Sequence, residues 1–138
     1  MPVIDELIRT EEDGSISFGN YKLPQKAKKS DFEYQGDLYK VKTCKEITKL
    51  ERNDMFVYES VPGTAAERFK ALDEGVEFTA YGDQDAQITV QMENDAEYEV
   101  YVNGAAVGSM RTNMSGKLSV SVELEEGTGV TVSAVRRA

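Results

Sequence analysis

The sequence predicts a mostly β protein, in which antiparallel hairpins lead into a small Ig-like or jelly-roll-like β-sandwich with one or two short helices. The first observation behind this is alternation. Leu118, Val120, Val122 and Leu124 interleave with Ser119, Ser121 and Glu123, as in a strand with one face buried. The second is punctuation. Asp13-Gly14, Asn53-Asp54, Gly82-Asp83, Asn94-Asp95, Asn103-Gly104 and Ser115-Gly116 cut the chain into short apolar runs, about 8 to 12 residues apart in the second half, as in small sandwiches. The third is size: 138 residues with 40% hydrophobic content suffice for one real core.

Element by element, Val3, Ile4, Leu7 and Ile8 stand at helical spacing, but the Asp13-Gly14 turn and the alternation of Ser15 to Phe18 favour a strand over residues 7 to 11. Four large aliphatic residues near the N-terminus must pack on their own domain or on a neighbour, since each gains roughly 1.5–3 kcal/mol on burial. Tyr21 to Ser30, with Pro24 and its lysines, reads as a connection. Phe32 to Tyr34 and Leu38 to Thr43 flank Gln35-Gly36-Asp37, a three-residue turn, and Ile47 to Arg52 and Met55 to Glu59 flank Asn53-Asp54. After Val61-Pro62-Gly63, the run Thr64-Ala65-Ala66-Glu67 reads as a capping box opening a short helix, with Phe69 and Leu72 inward. Strands follow at Val76 to Tyr81, Gln87 to Met92, Tyr98 to Val102, Val107 to Arg111, Leu118 to Leu124 and Val130 to Val135. This divides the chain into a hairpin-rich region with a short helix, 1–74, and a small sandwich, 75–138, forming together one compact unit.

Charge narrows the function classes. The net charge is −9, from 25 acids and 16 bases, which disfavours nucleic acid and anionic lipid as partners. Residues 1–74 hold 12 bases and 15 acids, and residues 75–138 hold 4 and 10. The bases gather at Lys26, Lys28, Lys29, Lys40, Lys42, Lys45 and Lys49, read as a solvated lysine face. No apolar run approaches the roughly 18 residues of a membrane-crossing helix. The opening MPVIDELIRTEEDG lacks the early positive charge and apolar stretch of a signal peptide, and Cys44 is the single cysteine. Both features point to a cytoplasmic location, with surface association left open.

The chain has no histidine, which removes Ser-His-Asp, Cys-His and imidazole–zinc chemistry. Neither a Walker loop nor a G-x-G-x-x-G occurs. The sequence therefore assigns no catalytic, cofactor-binding or metal-binding residue. A two-carboxylate glycosidase remains compatible with so many acids, although carboxylate pairs alone are weak evidence. Asp83-x-Asp85 and Asn94-Asp95 offer hard oxygen ligands in adjacent loops, a weak calcium pattern. Tyr98 and Tyr101, three apart in one strand, face opposite sides.

Tyr98-Glu-Val-Tyr-Val-Asn-Gly, Val107-Gly108, Thr112-Asn113 and Gly116 to Val122 resemble a small β-sandwich module of bacterial surface and glycan-processing proteins. The whole chain, through Ile8 to Gly14, Ser17 to Tyr21 and Met55 to Gly63, also resembles short proteins of gut Clostridia (Lachnospiraceae among them) that carry the label "endosialidase". That resemblance implies a glycan partner. Sialic-acid hydrolysis uses arginine clamps, and Arg9, Arg52, Arg68, Arg111, Arg136 and Arg137 form no matching motif, so no catalytic residue carries over. The leading expectation is a non-enzymatic β protein that acts by self-assembly, as a homo-oligomer or filament subunit, or by docking onto a partner. The alternative is a carbohydrate-binding or glycan-processing accessory module.

Overall fold

The structure, a computed structural model, describes residues 3–137. Among the described residues thirteen strands and no helix make up the regular structure: β1 (Ile8–Thr10), β2 (Ile16–Phe18), β3 (Ala27–Tyr34), β4 (Asp37–Thr43), β5 (Thr48–Arg52), β6 (Met55–Val61), β7 (Ala65–Leu72), β8 (Gly75–Tyr81), β9 (Ala86–Gln91), β10 (Glu97–Val102), β11 (Ala105–Arg111), β12 (Lys117–Val122) and β13 (Val130–Arg136). All neighbours are antiparallel. A seven-stranded sheet runs β1-β2-β7-β8-β13-β10-β11, and a six-stranded sheet runs β12-β9-β6-β5-β4-β3. They face each other as a β-sandwich, and strands from either side of residue 75 occur in both sheets.

The core is what alternation demands. Val41, Leu50, Tyr58, Ile88, Val90, Leu118, Val120 and Val122 of the six-stranded sheet meet Ile8, Ile16, Phe18, Phe69, Val76, Phe78, Tyr98, Val100 and Val132 of the other. Phe18, Tyr58, Phe69 and Phe78 form its centre. Tyr58 packs edge-on to the other three at 5.0–6.1 Å, and Phe69 stacks on Phe78 at 5.6 Å.

The expected short helices are absent from the described residues. Ala65 to Leu72 is a central strand, and Ala65 and Ala66 are fully buried in it. The Thr64 hydroxyl bonds Tyr58 and Ser60 and does not cap a helix. A bulge between Glu67 and Lys70, with Arg68 at φ 54°, explains the misleading pattern. One extra residue puts Ala66 and Phe69, three apart, on the same inner face, so a bulged strand imitates helical spacing. At the N-terminus the strand reading holds, as Ile8–Thr10. Val3 and Ile4 are also buried against their own domain, with the Ile4 amide donating to the Gly19 carbonyl.

Two further details differ from the sequence reading. Asp37 pairs with Tyr34, so Gln35-Gly36 is a two-residue turn with both residues at positive φ. The segment read as a connection up to Ser30 already enters β3 at Ala27. The Asn53-Asp54 hairpin and all six later strands fall where alternation and turn residues put them, within two residues at each end.

Candidate functional site

A sandwich of two open sheets has four edges, and each edge strand carries unpaired backbone donors and acceptors. Three of them differ from the fourth. β1 is only three residues long and touches β3. β3 is guarded by Lys28, Lys29, Asp31 and Glu33 and by a bulge before Phe32. β12 buries Leu118, Val120 and Val122 and shows solvent only Lys117, Ser119 and Ser121.

β11 is different in kind. Ala105, Ala106, Val107, Gly108 and Ser109 are all exposed, and only Met110, half-buried against the margin of the core, is partly covered. Met110 and Gly108 lie opposite Tyr98 and Val100 of β10, which point into the core, so they occupy the inner face of their sheet. Met110 reaches the margin of the core, but Gly108 is exposed with nothing within 4 Å of where a Cβ would stand, so no strand of the other sheet lies beneath it. The seven-stranded sheet therefore overhangs the six-stranded one, whose terminal strand β12 has its inner residues fully covered. Val107 is 53% exposed and Met114, in the 112–116 turn, 81% exposed; both flank this step.

The chemistry of the step is also distinct. From Val100 to Val122 lies the longest acid-free run of the chain, with Arg111 and Lys117 its only charges in a protein of net charge −9. Arg111 is engaged by Asp95 at 3.0 Å, and Lys117 lies over the Phe56 ring at 4.5 Å from its centroid. A bulge at Val107 interrupts the β10–β11 ladder, yet Gly108 to Arg111 keep regular register with Val100 to Glu97. The strand is thus uncharged along most of its length, without proline, and open to pairing.

The residues singled out by sequence fall elsewhere. Tyr98 is buried, its hydroxyl accepting the Glu93 amide at 3.1 Å, while Tyr101 is half-buried on the opposite, outer face. Asp83 and Asp85 precede β9 and Asn94 and Asp95 follow it, so roughly 20 Å of strand separates the two loops. They cannot share one ion. Asp85 accepts the Leu124 amide and Asp95 serves Arg111. Among the described residues no cluster of acidic or cysteine side chains has the geometry to hold a metal. Cys44 is buried. On the outer face of the six-stranded sheet, Lys28, Lys42 and Lys49 stand directly opposite one another on adjacent strands. Glu51 tempers them, 3.2 Å from Lys40 and 3.6 Å from Lys49.

One feature escaped sequence reading altogether: a buried hydroxyl network at one end of the sandwich. Thr43, Thr48, Ser60 and Thr64 are fully buried with the Tyr58 hydroxyl. Thr48 donates to the Thr64 carbonyl at 2.7 Å, and Thr64 Oγ1 lies 2.7 Å from both Ser60 Oγ and Tyr58 Oη. Burial raises the Tyr58 hydroxyl pKa above its ordinary value, so the group stays protonated and available as a donor. No buried side-chain donor or acceptor among the described residues is left unpaired, which marks this network as structural. Its only sequence signal was threonine and serine at inward strand positions. No family model, no curated protein and no solved structure matches this chain.

Proposed function

We propose that this protein acts by association, as a subunit that assembles with further copies of itself, and not by catalysis. The observation that supports the reading is the β11 edge: a seven-residue strand, paired on one side only, exposed along most of its length and nearly free of charge. Natural sheets blunt such edges with lysine, proline, shortness or a covering segment, and this chain does so at β1 and β3. An edge left open while those two are guarded is a surface kept for pairing. Multi-angle light scattering from low micromolar concentration upward tests this. The expected result is a species larger than one chain whose population grows with concentration, and a strict monomer throughout overturns the reading.

A further inference from the structure

We infer that the association, if self-assembly is its mode as proposed above, is a two-fold lap joint in which β11 of each copy pairs with β12 of the other. The argument starts from the step. One sheet ends in β11, which overhangs; the other ends one strand short, in β12, on the same side of the molecule, because β1 and β3 meet at the opposite side. A two-fold axis lying along the strands turns the second copy over, so that its six-stranded sheet continues the seven-stranded sheet of the first. The overhang of each copy then fills the recess of the other. Shape alone makes this edge complementary to itself, which an unrelated partner would have to match by coincidence.

Strand direction agrees. β11 and β12 are joined by the short 112–116 turn across the sandwich and run in opposite senses. A rotation about an axis parallel to the strands preserves direction, so β11 meets β12 of the partner antiparallel, the arrangement of every other pair in the fold. Side-chain faces agree as well. Ser109 lies on the outer face opposite Glu99, and Ser119 on the outer face opposite Thr89; in the joint both stand on one outer surface. The inner-face residues Met110 and Gly108 of the two overhangs become covered.

Charge and area set the strength. No carboxylate lies in either pairing strand, so two chains of net charge −9 meet along their acid-free segment. Each joint runs about 20 Å along the strands. Two joints with their facing strips bury on the order of 1,000 Å2, the lower end for a specific interface, so a weak, concentration-dependent dimer is expected.

Light scattering, sedimentation and cysteine cross-linking on the full chain test the geometry. Val107→Lys, at a half-exposed position that tolerates a long side chain, is expected to weaken the dimer by at least about tenfold while the circular dichroism spectrum is unchanged. The doubly substituted Ser109→Cys/Ser119→Cys and Ser109→Cys/Ser121→Cys chains place thiols on opposite outer faces of one copy, where they cannot reach each other. In the lap joint at least one of these pairs closes into covalent dimers under mild oxidation. The wild type, with Cys44 buried, and Ser109→Cys alone should not. Cross-linking of Ser109→Cys alone would mean β11 pairs with β11 and overturns the lap joint. An oligomer that survives Val107→Lys and gives no cross-link overturns it too, leaving self-assembly through another surface. A monomer at all concentrations overturns both proposals.

Discussion

Thr64 Oγ1 and the Tyr58 hydroxyl lie 2.7 Å apart inside the sandwich, both fully buried, with Ser60 Oγ equally close to Thr64. Removing either end of this contact has a different cost. Thr64→Val removes the hydroxyl that Tyr58 and Ser60 share, and a buried hydroxyl left unpaired costs about 1–3 kcal/mol. Tyr58→Phe removes one hydroxyl and leaves Thr64 still bonded to Ser60, at about 1 kcal/mol. Urea denaturation should rank Thr64→Val as clearly the more destabilising. Equal effects would mean water enters the network.

Gly19 supplies a second contrast. It adopts φ +101°, and a Cβ there would come within 2.4 Å of the Thr64 carbonyl oxygen, beside the same network. Gly14 has φ +87° with nothing within 4 Å. Gly14→Ala therefore carries only the backbone penalty, about 1 kcal/mol. Gly19→Ala must also displace backbone and should cost several-fold more, read as the difference in thermal midpoint between the two variants.

Glu11 gives a pH signature. The Ser17 hydroxyl, and then Arg9, hold its carboxyl pKa below the ordinary glutamate value. A depressed folded-state pKa stabilises the fold in full above the unfolded value of about 4.3 and is lost as pH falls through the folded one. Ser17→Ala removes the principal donor. Its stability deficit against wild type should be constant from about pH 6 to 8 and shrink below about pH 4. A deficit independent of pH would assign the effect to packing alone.

The two strand β10 tyrosines should separate sharply. Tyr98→Ala opens a cavity in the core and orphans the Glu93 amide, at about 3–5 kcal/mol. Tyr101→Ala, on the outer face, should stay within about 1 kcal/mol. Comparable losses in chemical denaturation would contradict the facing assigned to this strand.

Much of this architecture is written in local chemistry. Alternation at Leu118 to Val122 and Val130 to Val135, and left-handed turn residues at Asn53-Asp54 and Asn103-Gly104, placed those strands correctly because both signals act over a few residues. Sequence also carried the acid-free run from Val100 to Val122, although alternation alone gives it no meaning. What the tertiary structure decided is everything that depends on a partner distant in the chain. The bulge at Arg68 made a central strand look like a helix, because inserting one residue changes which side chains share a face. Thr43, Thr48, Ser60 and Thr64 became a network only when β4, β5, β6 and the start of β7 converged. The exposed overhang of β11 exists because one sheet holds one strand more than the other. Strand count per sheet is fixed by long-range pairing, and no local pattern encodes it.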